Sequence, residues 1–157
     1  MSSSSAINRP VFTMGKITNI PSLLCVCRDR AEHDRYVEYG SRLGWNVRAT
    51  TELDEAISLS MRNTFDVLAI AGLVQGVLGI DFLEKIRNEP GANQRAPAIL
   101  VANHKNVLEM KAIERRDHIN IEHIEFGQLL LSSFRIIVIG LMARTMKASV
   151  TAERSGP

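Results

Sequence analysis

Residues 65–87 read FDVLAIAGLVQGVLGIDFLEKIR, and they set the architecture of the whole chain. The stretch opens on a short apolar run, Val67-Leu68-Ala69-Ile70-Ala71. A loop punctuated by Gly72, Gly76 and Gly79 follows. Then Ile80, Phe82, Leu83 and Ile86 recur at helical spacing among the polar Asp81, Glu84, Lys85 and Arg87. A buried strand, a loop and an amphipathic helix in that order make half of a β-α-β unit. In an open parallel sheet, ligands and chemistry gather outside the carboxyl ends of the strands, which directs attention to the loop after Ala71. That loop contains no Asp, Glu, Ser, Thr, His, Cys or Lys. Where such a fold usually acts, this chain is chemically silent.

The same alternation extends in both directions. Ser22–Cys27 reads as a central strand and Arg30–Leu43 as a helix stopped by Gly44, with Tyr36, Val37, Tyr39, Leu43 and His33 on its inner stripe. Trp45–Thr50 is a second strand. The next helix opens at Thr51 or Glu52 and repeats Leu53, Ala56, Ile57, Leu59 and Met61. Asp66–Ala71 and Gly79–Asn88 are the third strand and helix. Ala98–Ala102 is a fourth strand, and Asn106–Arg116 a helix with Val107, Leu108, Met110 and Ile113 inward. Ile119–Ile124 is a weaker fifth strand nearer an edge, and Phe126–Ser149 the last helix. Five strands alternating with five helices predict an α/β fold, a doubly wound five-stranded parallel sheet with an extended last helix. The expected domain spans 22–150, with tails at 1–21 and 151–157.

Composition bounds the function. The 157 residues suit one domain with a real core. Net charge is +2 with no dense Lys/Arg block, which argues against nucleic acid or an anionic membrane as partner. The N-terminus lacks the pattern of a secretory signal, and the apolar run within Leu129–Ala143 is too short and broken for a span; a cytoplasmic protein is expected. Cys25 and Cys27 share a strand face and read as small buried residues. His33, His104, His118 and His123 form no metal pair, and no phosphate loop, dinucleotide fingerprint or nucleophile elbow appears. No metal or cofactor is expected.

The order and spacing resemble the receiver domain of bacterial response regulators over about residues 22–140. The resemblance is carried by Gly79-Ile80-Asp81-Phe82-Leu83-Glu84-Lys85-Ile86-Arg87, by Ala96-Pro97-Ala98-Ile99-Leu100-Val101, and by the Leu43-Gly44-Trp45 turn. It implies the flavodoxin-like strand order 2-1-3-4-5. It also implies a phosphoacceptor Asp ending the third strand, two acidic Mg²⁺ ligands ending the first, a Thr or Ser ending the fourth and a Lys ending the fifth. Counted onto this chain, those positions hold Ala71, Cys27 and Arg28, Ala102, and Glu125. A shift of one residue brings Asp29 to the pocket's edge. Alanine has no oxygen to phosphorylate, and the Cys27 and Arg28 side chains offer Mg²⁺ no hard ligand. Glu125 reverses the charge that phosphoryl transfer requires.

The expectation is a degenerate receiver, without phosphoacceptor or catalysis, that signals through protein contacts. Two surfaces are candidates. The apolar loop residues Leu73, Val74, Val77 and Leu78 are either a contact surface or a cover folded over the emptied pocket. The last helix is apolar nearly all round, and Leu130, Phe134, Ile137, Val138 and Leu141 are expected to form a homodimer interface. Within the pocket, Arg28 and Glu125 either both point to solvent or pair with each other, Arg28 taking the place of the metal. The alternatives are a small-ligand sensor at the degenerate pocket and an assembly protein built on the last helix.

Overall fold

The computed structural model describes residues 11–13, 16–18, 20–115 and 119–154, with side chains for 20–115 and 119–145. The elements are β1 (Val11–Thr13), β2 (Lys16–Thr18), β3 (Ser22–Val26), α1 (Arg30–Leu43), β4 (Asn46–Thr50), α2 (Leu53–Arg62), β5 (Val67–Ala71), β6 (Leu73–Val74), β7 (Val77–Leu78), α3 (Gly79–Asn88), β8 (Ala98–Ala102), α4 (Val107–Ile113), β9 (His123–Phe126) and α5 (Leu131–Arg154). The main sheet runs β4-β3-β5-β8-β9, and every pairing in it is parallel. This is the flavodoxin-like order, with β5 at its centre.

The sheet is covered on both faces, and the period-2 alternation of strand side chains decides what each face carries. Leu24, Val26, Leu68, Ile70 and Leu100 point toward α2, α3 and α4. Leu23, Cys25, Val67, Ala69, Ile99 and Val101 point toward α1 and α5. The central strands β5 and β8 are buried along their whole length. Asp29 caps α1 by accepting from the Glu32 amide at 2.9 Å, and Gly44 ends it in the left-handed conformation with φ 71°.

Several element boundaries differ from the sequence expectation. The fifth strand, β9, starts four residues later than expected and ends two later. Ile119 is buried but stands before the ladder, and Phe126, expected to open the last helix, instead pairs with Ala102. Gly127, with φ 91°, then turns the chain, and α5 starts only at Leu131 and continues to Arg154. Within the expected N-terminal tail, β1 and β2 pair as an antiparallel ribbon. His118 lies outside the described residues.

The α4 stripe is out of phase with its reading. Val107 is 77% and Leu108 64% exposed, whereas Glu109 and Ala112 face inward. In α1 the inner residues are Glu32, Tyr36, Tyr39 and Gly40, and Val37 is exposed. Met61, expected on the α2 stripe, is also exposed.

Candidate functional site

The crevice outside β3, β5 and β8 is occupied by an ion pair. Arg28 follows Cys27 at the end of β3 and reaches across the strand ends. Its Nη1 donates to Glu109 Oε2 at 2.7 Å and its Nη2 to Glu109 Oε1 at 2.8 Å. Nη2 also donates to the Val101 carbonyl at 3.3 Å. Glu109 is held from its own side: the Asn106 side chain accepts its amide at 3.1 Å, and its Oε1 accepts the Asn103 amide at 2.9 Å. The Glu109 side chain is 1% exposed and that of Arg28 27%. Two parallel N–H···O bonds give a fork geometry that fixes both groups. The Glu109 carboxylate, through these bonds above all, holds the Arg28 guanidinium protonated beyond its ordinary range.

Gly72 makes this arrangement possible. It follows β5 directly, its amide donates to the Val101 carbonyl at 2.9 Å, and a Cβ there would collide with the Glu109 carboxylate. The close approach, rather than any special backbone angle, requires glycine.

The expected partner for Arg28 was Glu125, and the structure corrects that. Glu125 lies on edge strand β9 and meets His123 Nε2 at 3.0 Å. The charge that balances Arg28 comes from α4 instead. Ala71 closes β5 and Ala102 closes β8, each 1% exposed, so the strand ends carry methyl groups where the resemblance implies oxygens. Cys27 packs in the α1/α5 core, its amide donating to Thr50 O at 2.7 Å. Burial pushes the Cys25 and Cys27 thiols up, so both are neutral packing groups. One oxygen of Asp29 caps α1.

Magnesium does not fit these residues. The position that its ligands would take holds a sulfur and a guanidinium, and the buried Glu109 carboxylate is saturated by Arg28 and the Asn103 amide. Among the described residues no three of His, Cys, Asp and Glu converge.

Leu73–Val74 and Val77–Leu78 form a hairpin rather than an open loop. Val74 is buried in the α2–α4 core, Leu73 and Leu78 are half-buried, and Val77 alone is exposed. Gln75, at the tip with φ 50°, latches the hairpin to α2: its Oε1 accepts the Leu53 amide at 2.8 Å and its Nε2 donates to Glu52 at 3.2 Å. Since Glu52 provides no side-chain cap, Gln75 caps α2 from outside.

Most of the expected α5 interface turns inward. Phe134, Val138 and Leu141 are buried on the sheet and Ile137 packs partly against it. They satisfy the core and are not an open face. The exposed apolar residues here are Leu130, Ile136 and Ile139, with Val107, Leu108 and Phe126 on α4 and β9.

Sequence reading passed over Glu109, Asn103, Glu32 and Arg35, and took Gly72 only as loop punctuation. Glu109 carried one usable signal: it stands three residues after the cap residue Asn106, where an acidic side chain often turns back toward the helix start. Glu32 accepts the Arg28 amide at 2.7 Å. Burial pushes its carboxyl up, against the pull of that amide and of the Arg28 and Arg35 charges. The folded chain thus binds this proton more tightly than the unfolded chain. Stability from this group is greatest in acid and falls as pH rises through the window between the ordinary glutamate range and the raised value. Glu32→Gln keeps an acceptor for the Arg28 amide and removes the charge. Urea midpoints measured against pH are expected to lose that decline.

The sequence matches no protein-family model and no curated protein. Solved structures define the class: the chain has the receiver fold of CheY-like response regulators. It is similar to the receiver domain of Francisella response regulator 1452, with TM-score 0.65 and 18% identity over 80% of this chain and 98% of that one. It is also similar to a CheY-like receiver domain from Methanospirillum hungatei, with TM-score 0.69 and 14% identity over 83% and 99%. A third is the receiver domain of the sensor histidine kinase PA1611 from Pseudomonas aeruginosa, with TM-score 0.68 and 12% identity over 79% and 98%. That domain holds a magnesium ion coordinated in its active-site cleft. No described helix is long and apolar enough to cross a membrane.

Proposed function

We propose that the chain is a phosphorylation-independent receiver-fold module that regulates a cytoplasmic partner by protein contact, with no catalysis of its own. The observation that carries this reading is the Arg28–Glu109 pair lying across the crevice beside Ala71, where the resemblance implies metal and phosphoacceptor. A receiver switches when a phosphoryl group recruits polar groups around an Asp. Here Arg28 and Glu109 already have fixed partners, and position 71 has no side-chain oxygen to modify. Incubation with acetyl phosphate and Mg²⁺ is expected to leave the intact mass unchanged. An acid-labile phosphoryl adduct would overturn the reading.

The partner surface we infer is the outer face of α5 with the start of α4 and the end of β9, and its simplest occupant is a second copy of this chain. Ile136 is 66% exposed and Ile139 is also open, both on the side of α5 turned from the sheet. A homodimer covers such apolar side chains without a second protein. Sedimentation at several concentrations is expected to give a dimer, and Ile136→Glu with Ile139→Glu a monomer with an unchanged fold. A wild-type chain that stays monomeric throughout removes this surface as a self-interface.

A further inference from the structure

The ion pair does not fill the whole crevice. On its α1 side a cavity of about 410 Å³ opens between the start of α1, the β8–α4 loop and the β9–α5 turn. Its walls include Asp29, Glu32, Arg35, His104 and Lys105, with Ala102 among its lining residues. Small-molecule sites commonly enclose about 300–1,000 Å³, and in doubly wound sheets they lie outside the carboxyl ends of the strands. The methyl group of Ala102 leaves the space open.

Arg35 is the group that the fold does not explain. Its Nε is buried and has no hydrogen-bond partner among the described residues, and its guanidinium forms no ion pair there. A buried donor without an acceptor is costly and calls for a reason. The other such Nε, on Arg87, belongs to a guanidinium already tied to the carbonyls of Gln94, Ala96 and Asn120. Arg28 does not compete for a ligand, because Glu109 neutralises it. Asp29 and Glu32 each spend one oxygen on a backbone amide, at 2.9 and 2.7 Å, and keep the other.

We propose that this cavity binds a small organic anion, its carboxylate or phosphate held by Arg35 and Lys105 and its hydroxyl or amino donors by the second oxygens of Asp29 and Glu32. The two acids disfavour a polyanion, and the two bases require at least one negative group. The proposal rests on the reading that the crevice no longer transfers phosphoryl groups. The acetyl phosphate experiment tests that reading separately, because a covalent adduct changes mass and reversible binding does not.

The test uses the full chain and follows the Arg35 Nε–Hε resonance by NMR during titration to millimolar concentration. The probes are L-serine, D-glycerate and glycerol 3-phosphate, with acetate and inorganic phosphate as controls that carry only the charged group. A saturable shift of that resonance with at least one probe is expected. Arg35→Ala and Lys105→Ala should each weaken binding about tenfold or more, with Arg35→Lys in between. Lys105 is exposed, so its variant tests the idea even if Arg35→Ala fails to fold. Overturning results are an Arg35 resonance that no probe moves, binding indifferent to both substitutions, or acetate or phosphate binding as tightly as the probes.

Discussion

Glu109→Ala is expected to lower the free energy of unfolding by about 3–5 kcal/mol, which is what removing one partner of a buried pair typically costs. The side chain is 1% exposed and takes three hydrogen bonds, two from Arg28 and one from the Asn103 amide. Alanine leaves a guanidinium without its counter-charge and a loop amide without its acceptor. Replacing both partners is different, because the desolvation of two charges is then recovered. Arg28→Met with Glu109→Met is expected to fall within about 1 kcal/mol of the wild type, or above it. Urea unfolding of Arg28→Met, Glu109→Met and the double closes the cycle and isolates the coupling. Glu125→Ala is the control, expected to change stability by no more than about 0.5 kcal/mol. If Glu125→Ala costs more than Glu109→Ala, the assignment of the pair is wrong.

Phe134→Ala is the second large effect, expected at about 3–5 kcal/mol. The ring is fully buried between α1, α5 and the sheet. It stacks on Tyr36 at 5.6 Å between centroids and meets Tyr39 at 5.3 Å and Trp45 at 5.8 Å. Such pairs add to the area buried, and losing the central ring leaves a void that the three others cannot all fill. Trp45 is the only tryptophan, so its fluorescence reports the change directly. Because the ring lies in the core and not at an interface, the loss should not depend on protein concentration. Ile136→Ala, two residues along the same helix, should leave the stability of the monomer nearly unchanged. A small or concentration-dependent effect at Phe134 would return that residue to the interface.

Residues that follow a single rule were legible in the sequence. The runs Val67–Ala71 and Ala98–Ala102 are apolar at every position, which only central parallel strands require, and they became β5, one residue shorter than the expected Asp66–Ala71, and β8. Gly44 and the Gly79–Asn88 pattern fixed α1 and α3 in the same way. Position 28 was also legible, because an arginine where metal ligands are implied has to be balanced by something. Its partner was not. The apolar pair Val107-Leu108 drew the inner stripe of α4 toward itself, whereas the phase is set by Glu109, and a buried carboxylate cannot be read from periodicity. Its burial is intelligible only once Arg28, eighty-one positions away in sequence, stands beside it. The late start of α5 was hidden for a similar reason: Phe126 suits a helix and a strand equally, and the ladder with Ala102 decided between them.

The close fit of Gly72 against Glu109 bears on how this chain could change over evolutionary time. Placing an acid at position 28 alone would set a second carboxylate beside a buried one. Removing Glu109 alone would strand the arginine. Enlarging Gly72 first would displace the pair before anything replaced it. Each single step toward an acidic crevice descends in stability before a second change can compensate, so the crevice interior resists stepwise replacement. Neutral drift can vary the surface around the crevice, but it cannot easily replace the interior one residue at a time.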